Sequence, residues 1–174
     1  SRRWGLYGVA GLLVYSSDPS GSGHVLLQHR AGWTHMGGTW GIPGGARNLD
    51  ETPLEAAVRE FREEVAGDLA DYTLLGSYEL DLERWRYDTF LVSLPTMTPF
   101  RPGNAESEDV RWVAVEEADS LPLMPAFRSS WQRMRQDLAQ VSIPGTGTST
   151  AGGSLNPQDP CAYRRTSDSA TSGG

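Results

Sequence analysis

Three glutamates, Glu60, Glu63 and Glu64, stand at positions i, i+3 and i+4 of one segment. That spacing places their carboxylates on one side of a helix, where like charges repel by about a few tenths of a kcal/mol per pair. A divalent cation would convert this repulsion into ligation, and Mg²⁺ is typically bound by a few carboxylates together with waters and substrate phosphate oxygens. The pattern is compatible with metal-assisted phosphate chemistry, although three carboxylates on an arbitrary helix more often form a solvated acidic face.

The helix that must carry these glutamates has a clear start in the sequence. Thr52 is a favourable N-cap, Pro53 suits the first helical position, and Glu55 completes a capping box with Thr52. Apolar residues follow at the spacing of a core-facing stripe: Leu54, Ala57, Val58, Phe61 and Val65. The glutamates fall on a different sector, so one face packs and another is free for chemistry.

The segment before this helix is rich in glycine: Gly37-Gly38-Thr39-Trp40-Gly41-Ile42-Pro43-Gly44-Gly45. Glycines allow the backbone to approach a ligand closely. A glycine-rich loop followed by an acidic helix favours the metal site over the solvated helix face.

Together these residues resemble the Nudix box, Gly-x5-Glu-x7-Arg-Glu-U-x-Glu-Glu-x-Gly-U, in which U is aliphatic. The chain departs from it at Phe61, which is aromatic, and at Ala66 and Gly67, which replace Gly and an aliphatic residue. Gly67 is expected to take the left-handed position that ends the helix. The matching positions are Gly45, Glu51, Arg59, Glu60, Glu63 and Glu64.

The resemblance implies roles for these positions. Glu60, Glu63 and Glu64 would coordinate Mg²⁺ or Mn²⁺ with the backbone carbonyl of Gly44, and Glu63 and Glu64 would be the catalytic residues. Structural support of the site would come from Gly45, Glu51 and Arg59, the last two by pairing with each other. The reaction would be attack of water on a phosphorus of a nucleoside diphosphate derivative, with metal neutralising the developing charge.

Five residues outside the box are candidates for substrate binding. Arg30 could hold a phosphate or form a structural salt bridge, and Trp33 could stack on a base. His35 could be a phosphate donor or base, although a loop histidine without a catalytic role is the simpler interpretation. Glu106 and Glu108 are candidates for the downstream acid that Nudix enzymes often place near the metals, with a solvated acidic turn as the alternative.

Composition restricts the partners. The 174 residues carry a net charge of −7, and all fifteen basic residues are arginine; stable binding to nucleic acid is therefore not expected. The one cysteine, Cys161, excludes an intrachain disulfide. The sequence shows no membrane-length apolar run and no signal peptide, so we expect a cytoplasmic protein that acts on a small nucleotide. A homodimer is compatible with these features.

The order of elements predicts an α/β fold. Strands are expected over residues 4–15, 24–30, 72–80, 85–94 and 110–115, with a hairpin at 81–84, a helical turn at 116–120 and a second helix over 126–140. In the strand over 85–94, Trp85, Tyr87 and Thr89 alternate on one face, which fits core packing for most of the face or the wall of a base pocket. The resemblance implies the Nudix α/β/α sandwich with a mixed sheet. We expect a Nudix domain over 1–143 and a disordered Gly/Ser/Thr/Pro-rich tail over 144–174.

Three functions remain open from the sequence. Shorter matches, such as Leu26-Leu27-Gln28-His29-Arg30 and Glu106-Ser107-Glu108-Asp109-Val110, are similar to actinobacterial MutT-type proteins. That similarity implies a pyrophosphohydrolase of nucleoside di- or triphosphates, with oxidised guanine nucleotides as candidates. The box equally permits hydrolysis of ADP-ribose or a nucleotide sugar. A non-catalytic nucleotide-sensing module is disfavoured because the box glutamates are retained.

Overall fold

The computed structural model describes residues 8–34, 36–81, 83 and 86–141. Within these residues the nine strands are β1 (Val9–Ser17), β2 (Gly23–Arg30), β3 (Trp40–Gly41), β4 (Gly44–Ala46), β5 (Val65–Ala66), β6 (Thr73–Asp81), β7 (Arg86–Ser93), β8 (Arg101–Pro102) and β9 (Ser107–Ala114). The described helices are α1 (Pro53–Glu64), a 3₁₀ helix (Val115–Ser120) and α2 (Pro125–Val141).

Seven of the strands form one mixed sheet. Its main order is β3-β2-β1-β7-β6, with β4 also paired to β1 and β9 also paired to β2. The β1–β7 pair is parallel, with Leu12 opposite Phe90, whereas β1 pairs antiparallel with both β2 and β4. Strands β5 and β8 form a separate two-stranded sheet. Because β3 pairs with the end of β2, with His29 opposite Trp40, the sheet brings the glycine-rich segment beside that end.

Each face of the sheet is covered by one of the long helices. The first core contains α1 residues such as Ala57 and Phe61 packed with Leu12, Leu26 and Phe90 of the sheet. The second core joins α2 to the opposite face and includes Phe127, Trp131, Met134, Leu13, Leu27 and Leu91. Alternate residues of β1 and β2 enter different cores, as expected for strands buried on both faces. The predicted α/β/α sandwich with a mixed sheet is confirmed.

Local signals locate the start of α1 correctly. Thr52 accepts a hydrogen bond from the backbone N–H of Glu55, and the Glu55 side chain accepts one from the backbone N–H of Thr52. The end of α1 differs from the prediction. Val65 ends the helix in an extended conformation and enters β5 directly, so Gly67, with φ of +141°, is not the helix cap. Strand pairing with β8 replaces the left-handed cap, since Val65 lies opposite Pro102.

Most predicted elements appear with small shifts in their bounds. The last strand runs over residues 107–114 rather than 110–115, and the second helix begins one residue earlier than predicted. The short strands β3, β4, β5 and β8 carry too little periodic pattern to be predicted. The start of the first strand, the residues 82, 84 and 85 of the predicted hairpin, and the tail after residue 141 lie outside the described residues. In the described part, no helix is long and apolar enough to cross a membrane.

Candidate active site

Strand β4 lies close to two neighbours, the Glu60 side chain of α1 at Gly45 and the backbone of β1 at Gly44. A Cβ atom added to Gly45 would lie 2.5 Å from the carboxyl carbon of Glu60, and one added to Gly44 would lie 2.6 Å from the carbonyl oxygen of Ala10. Both distances are far below van der Waals contact. Gly45 therefore allows the Glu60 carboxylate to lie directly against β4, and Gly44 allows β4 to pack against β1.

Arg59 links the box residues to one another. Its Nε and Nη2 atoms donate to the two carboxylate oxygens of Glu51, and Nη2 also donates to the carbonyl oxygen of Ala46 at 3.0 Å. Its Nη1 atom donates to Glu60 at 3.0 Å and to Glu63 at 3.3 Å. The guanidinium therefore fixes the loop between β4 and α1 and orients two of the acidic side chains.

The charges of the Arg59–Glu51 pair stabilise one another. Hydrogen bonding from Arg59 holds the pKa of Glu51 below its ordinary value, against the opposing effect of burial. The same bond raises the pKa of Arg59 further above its already high value. Both groups therefore stay ionised, and bidentate geometry of this kind gives directional as well as electrostatic stabilisation.

Glu64 has a different environment. Burial raises its pKa to about 8, and a hydrogen bond with the Glu60 carboxyl group contributes in the same direction. Glu106 adds a smaller repulsion through its charge, whereas hydrogen bonding from Gln28 lowers the pKa. Two carboxyl groups this close, with a third within electrostatic reach, form a region that favours bound positive charge.

Gln28 and Ser107 lie behind Glu64 and were not identified from the sequence as site residues. The Gln28 Nε2 atom donates to Glu64 Oε1 at 3.1 Å and to Ser107 Oγ at 2.7 Å. Gln28 and Ser107 are both almost fully buried. The available signal was a polar residue at the end of the apolar run Val25-Leu26-Leu27, which alone does not reveal its partner.

A β-bulge in the pairing of β2 with β9 gives the two downstream acids, Glu106 and Glu108, different positions. Arg30 lies opposite Ser107 and His29 lies opposite Asp109, so Glu108 is the extra residue of a β-bulge. Glu106 comes within electrostatic reach of Glu64. Glu108 instead lies 3.7 Å from the Nδ1 atom of His29, so the structure brings only the first of these two acids to the box.

A cleft of about 690 Å³ opens beside Gly44 and Gly45. Arg30 lines it and, like Glu64, lies within electrostatic reach of the buried Tyr87 hydroxyl, whose pKa is raised mainly by burial. The other walls are largely apolar and comprise Val9, Met36, Ile42, Ala46, Leu80, Met124, Pro125, Ala126 and Ser129. The cleft thus combines the charged side chain of Arg30 and the two box glycines with largely apolar walls.

The aromatic candidates have different positions. Trp33 is 70% exposed on the loop after β2 and is not part of the cleft lining. Trp40 is buried in the second core and stacks on His29 with ring centroids 4.4 Å apart. His35 lies outside the described residues.

The donor chemistry fits a hard divalent cation. Glu60 and Glu64 offer only oxygen atoms, the ligand type that Mg²⁺ prefers, and a bound cation would displace the proton that the raised pKa of Glu64 favours. In the part of the chain that the structure describes, no three His, Cys, Asp or Glu side chains converge closely enough to hold a metal. Glu63 pairs with Arg59 at 3.3 Å and is more exposed than Glu60, with 57% against 15% side-chain exposure.

Comparison with known proteins agrees with this arrangement. A NUDIX domain model matches residues 7–134. A Mycobacterium tuberculosis protein named "Putative 8-oxo-dGTP diphosphatase 3" is 45% identical over 147 residues, which cover 80% of this chain and 67% of that protein. A nucleoside triphosphate pyrophosphatase/Nudix hydrolase fusion protein from Bifidobacterium longum is 38% identical over 81% of this chain, but the match spans only 30% of the fusion protein.

A solved structure shows the same relationship. The Nudix hydrolase RenU from M. smegmatis matches with a TM-score of 0.70 and 38% identity, covering 79% of this chain and 88% of that chain. The resemblance drawn from the box is therefore confirmed by sequence and by fold. With the glycine strand, the arginine-linked glutamates and the adjoining cleft all present, the chain belongs to the Nudix family and is a Nudix hydrolase.

Proposed function

We propose that this Nudix hydrolase uses Mg²⁺ to cleave the diphosphate linkage of a nucleoside di- or triphosphate, with oxidised guanine nucleotides as the preferred class. The observation that carries the proposal is the pair formed by Glu60 and Glu64 beside the cleft that Arg30 lines. The name of the M. tuberculosis relative supports the choice of substrate class, because its 45% identity extends over 80% of this chain.

The metal would be held by Glu60, Glu63, Glu64 and the carbonyl of Gly44, and it would supply charge neutralisation at the phosphate oxygens and help to activate water. Arg59 would keep Glu60 against β4 in this arrangement, and Glu63 would join by leaving Arg59. Glu106 would add negative charge beside Glu64. The roles of Gly45, Glu51 and Arg59 are then to set the distance and angle between β4 and α1.

The substrate would lie in the cleft with its phosphates near Arg30 and its base against the apolar walls. Arg30 would bind a phosphate, because a guanidinium suits bidentate contact with phosphate oxygens. Side chains such as Ile42, Leu80 and Met124 would pack against the base. Trp33 and His35 stay candidates for contacts made from the loop after β2, and Glu108 would act only indirectly through His29.

A substrate panel with Mg²⁺ tests the proposal. We expect pyrophosphate and a nucleoside monophosphate from a deoxynucleoside triphosphate, with 8-oxo-dGTP giving a higher kcat/KM than dGTP. ADP-ribose and a nucleotide sugar belong in the same panel, because AMP with a sugar phosphate at higher kcat/KM would establish the alternative instead. The same kcat/KM values measured with Mn²⁺ in place of Mg²⁺ test which of the two metals the enzyme uses.

Two variants connect the assay to the site. Glu64→Gln keeps the size of the side chain and should lower kcat by at least about 10²-fold. The reason is that it removes a carboxylate that would hold the metal, and the metal would stabilise the charge that develops on the phosphate oxygens. Glu117→Gln changes an exposed acid of the 3₁₀ helix and is the matched control. Equal turnover in Glu64→Gln and the control would contradict the assignment of the metal site.

A further inference from the structure

Gln28 is a buried amide in a strand that otherwise has an apolar centre. Its exposure is 2%, and the preceding residues Leu26 and Leu27 are among the most buried in the chain. Burying an amide costs free energy unless its polar atoms are hydrogen-bonded. A leucine or valine would serve packing better at this position, so the partners of the amide indicate what it does.

Those partners belong to the site. One Nε2 hydrogen of Gln28 is directed to Glu64 Oε1 and the other to Ser107 Oγ, at 3.1 Å and 2.7 Å. Both donor hydrogens of the amide nitrogen are therefore used. The three residues come from β2, the last turn of α1 and the first position of β9, so only the assembled fold brings them together.

The β-bulge at Glu108 makes this contact possible. It changes the register between β2 and β9 so that Ser107 lies opposite Arg30 while Asp109 lies opposite His29. Without the extra residue, Ser107 would point to the other face of the sheet, because successive side chains alternate. β-Bulges often re-aim a side chain next to an active site.

The backbone of Glu64 is fixed independently. Its carbonyl oxygen accepts a hydrogen bond from the backbone N–H of Gly103 at 2.8 Å. A Cβ atom at Gly103 would lie 3.0 Å from the Glu64 carbonyl carbon, so this contact is close. With the backbone held, the direction of the Glu64 carboxylate depends on its side-chain torsions, and the Gln28 amide restrains those torsions.

We propose that Gln28, supported by Ser107, is a positioning residue that aims the Glu64 carboxylate for metal-assisted hydrolysis. The inference rests on the proposed metal role of Glu64. The amide occupies one carboxylate oxygen of Glu64, and the carboxyl group also hydrogen-bonds with Glu60. An amide suits this role because it donates to a carboxylate without adding a charge that would compete with the metal.

The decisive variant is Gln28→Met, which keeps an unbranched side chain of similar length and removes both donors. Supporting residues of this kind typically change metal affinity or activity by about 10- to 100-fold. We expect kcat to fall and the Mn²⁺ dissociation constant, measured by electron paramagnetic resonance without substrate, to rise by that factor. KM for the nucleotide should stay close to the wild-type value.

Ser16→Ala is the matched control for loss of a buried polar contact. The Ser16 hydroxyl is buried and donates to the Leu94 carbonyl oxygen at 2.9 Å. It should lower the melting temperature while leaving kcat and Mn²⁺ affinity unchanged. If Gln28→Met changes only the melting temperature, as Ser16→Ala does, the positioning role is overturned.

Ser107→Ala provides a second test that retains the amide. It removes one of the two anchors of Gln28 and should reduce kcat and Mn²⁺ affinity in the same direction but by a smaller factor. If Gln28→Met does not fold, this variant decides the matter, and wild-type values would overturn the inference. Glu64→Gln separates the two proposals. If Glu64→Gln is inactive while Gln28→Met behaves as the wild type, only the positioning role is wrong. If Glu64→Gln keeps full activity, the proposed metal site is wrong.

Discussion

Removal of the Glu64 charge should change how the stability of the metal-free protein depends on pH. In the folded protein, burial and the neighbouring Glu60 raise the pKa of Glu64 to about 8, from an ordinary value of 4.5. At pH values between these two pKa values, Glu64 carries a proton in the folded state but not in the unfolded state. The free energy of unfolding therefore falls as pH rises through this range, and protonation of Glu64 stabilises the fold fully only at the acidic end of the range.

The magnitude follows from one proton. Each pH unit inside the window changes the free energy of unfolding by about 1.4 kcal/mol. From about pH 5.5 to 7.5, the contribution from Glu64 amounts to roughly 2–3 kcal/mol, or on the order of 10 °C in melting temperature for a domain of this size.

The assay compares thermal unfolding of the wild type and Glu64→Gln across this pH range in excess chelator. The difference between the two melting temperatures should grow steadily as pH rises, with the variant more stable at the alkaline end. Glu117→Gln, the exposed control, should follow the wild type. Addition of Mg²⁺ at about pH 7.5 should stabilise the wild type much more than the variant, because the cation binds the folded carboxylate pair. Parallel pH curves for wild type and Glu64→Gln would refute the reasoning.

Three further variants test the supports of the site. Gly45→Ala places a methyl group 2.5 Å from the Glu60 carboxyl carbon and should lower kcat by about 10²-fold. Circular dichroism should show that the variant is still folded, and a normal kcat would mean that β4 can move. Arg59→Met leaves the Glu51 carboxylate half-buried without its partner and should cost about 3 kcal/mol in urea unfolding, with weaker Mn²⁺ binding; unchanged stability would contradict the role of the pair. Thr52→Ala removes the N-cap and should cost about 1 kcal/mol with kcat unchanged, whereas a large fall in kcat would place the cap within the catalytic machinery.

The start and the packed face of α1 could be predicted because their causes are local. The Thr52 cap, Pro53 and the apolar spacing act within a few residues of one another, so the structure reproduces them. The end of α1 could not be predicted in this way. Val65 leaves the helix to pair with Pro102, a residue far along the chain, and this long-range pairing overrides the local preference for a glycine cap.

The two downstream acids illustrate the same limit within the site. Glu106 and Glu108 are equivalent by spacing and charge in the sequence. The bulge in β9 directs Glu108 toward His29 and leaves Glu106 near Glu64. A shift of one residue in strand register changes the face on which a side chain lies, and register is set by pairing with β2 rather than by the acids themselves.

The sequence by itself determined the acidic box, its helix, the oxygen-only donor chemistry and the family, because each is encoded in residue types at short spacing. Only the tertiary structure decided that β4 lies against Glu60 at Gly45, that burial raises the pKa of Glu64, and that Gln28 reaches Glu64 from β2. The physical reason is that burial and electrostatic environment depend on every neighbour that packs around a group. Those neighbours come from strands and helices that meet only when the sheet has formed.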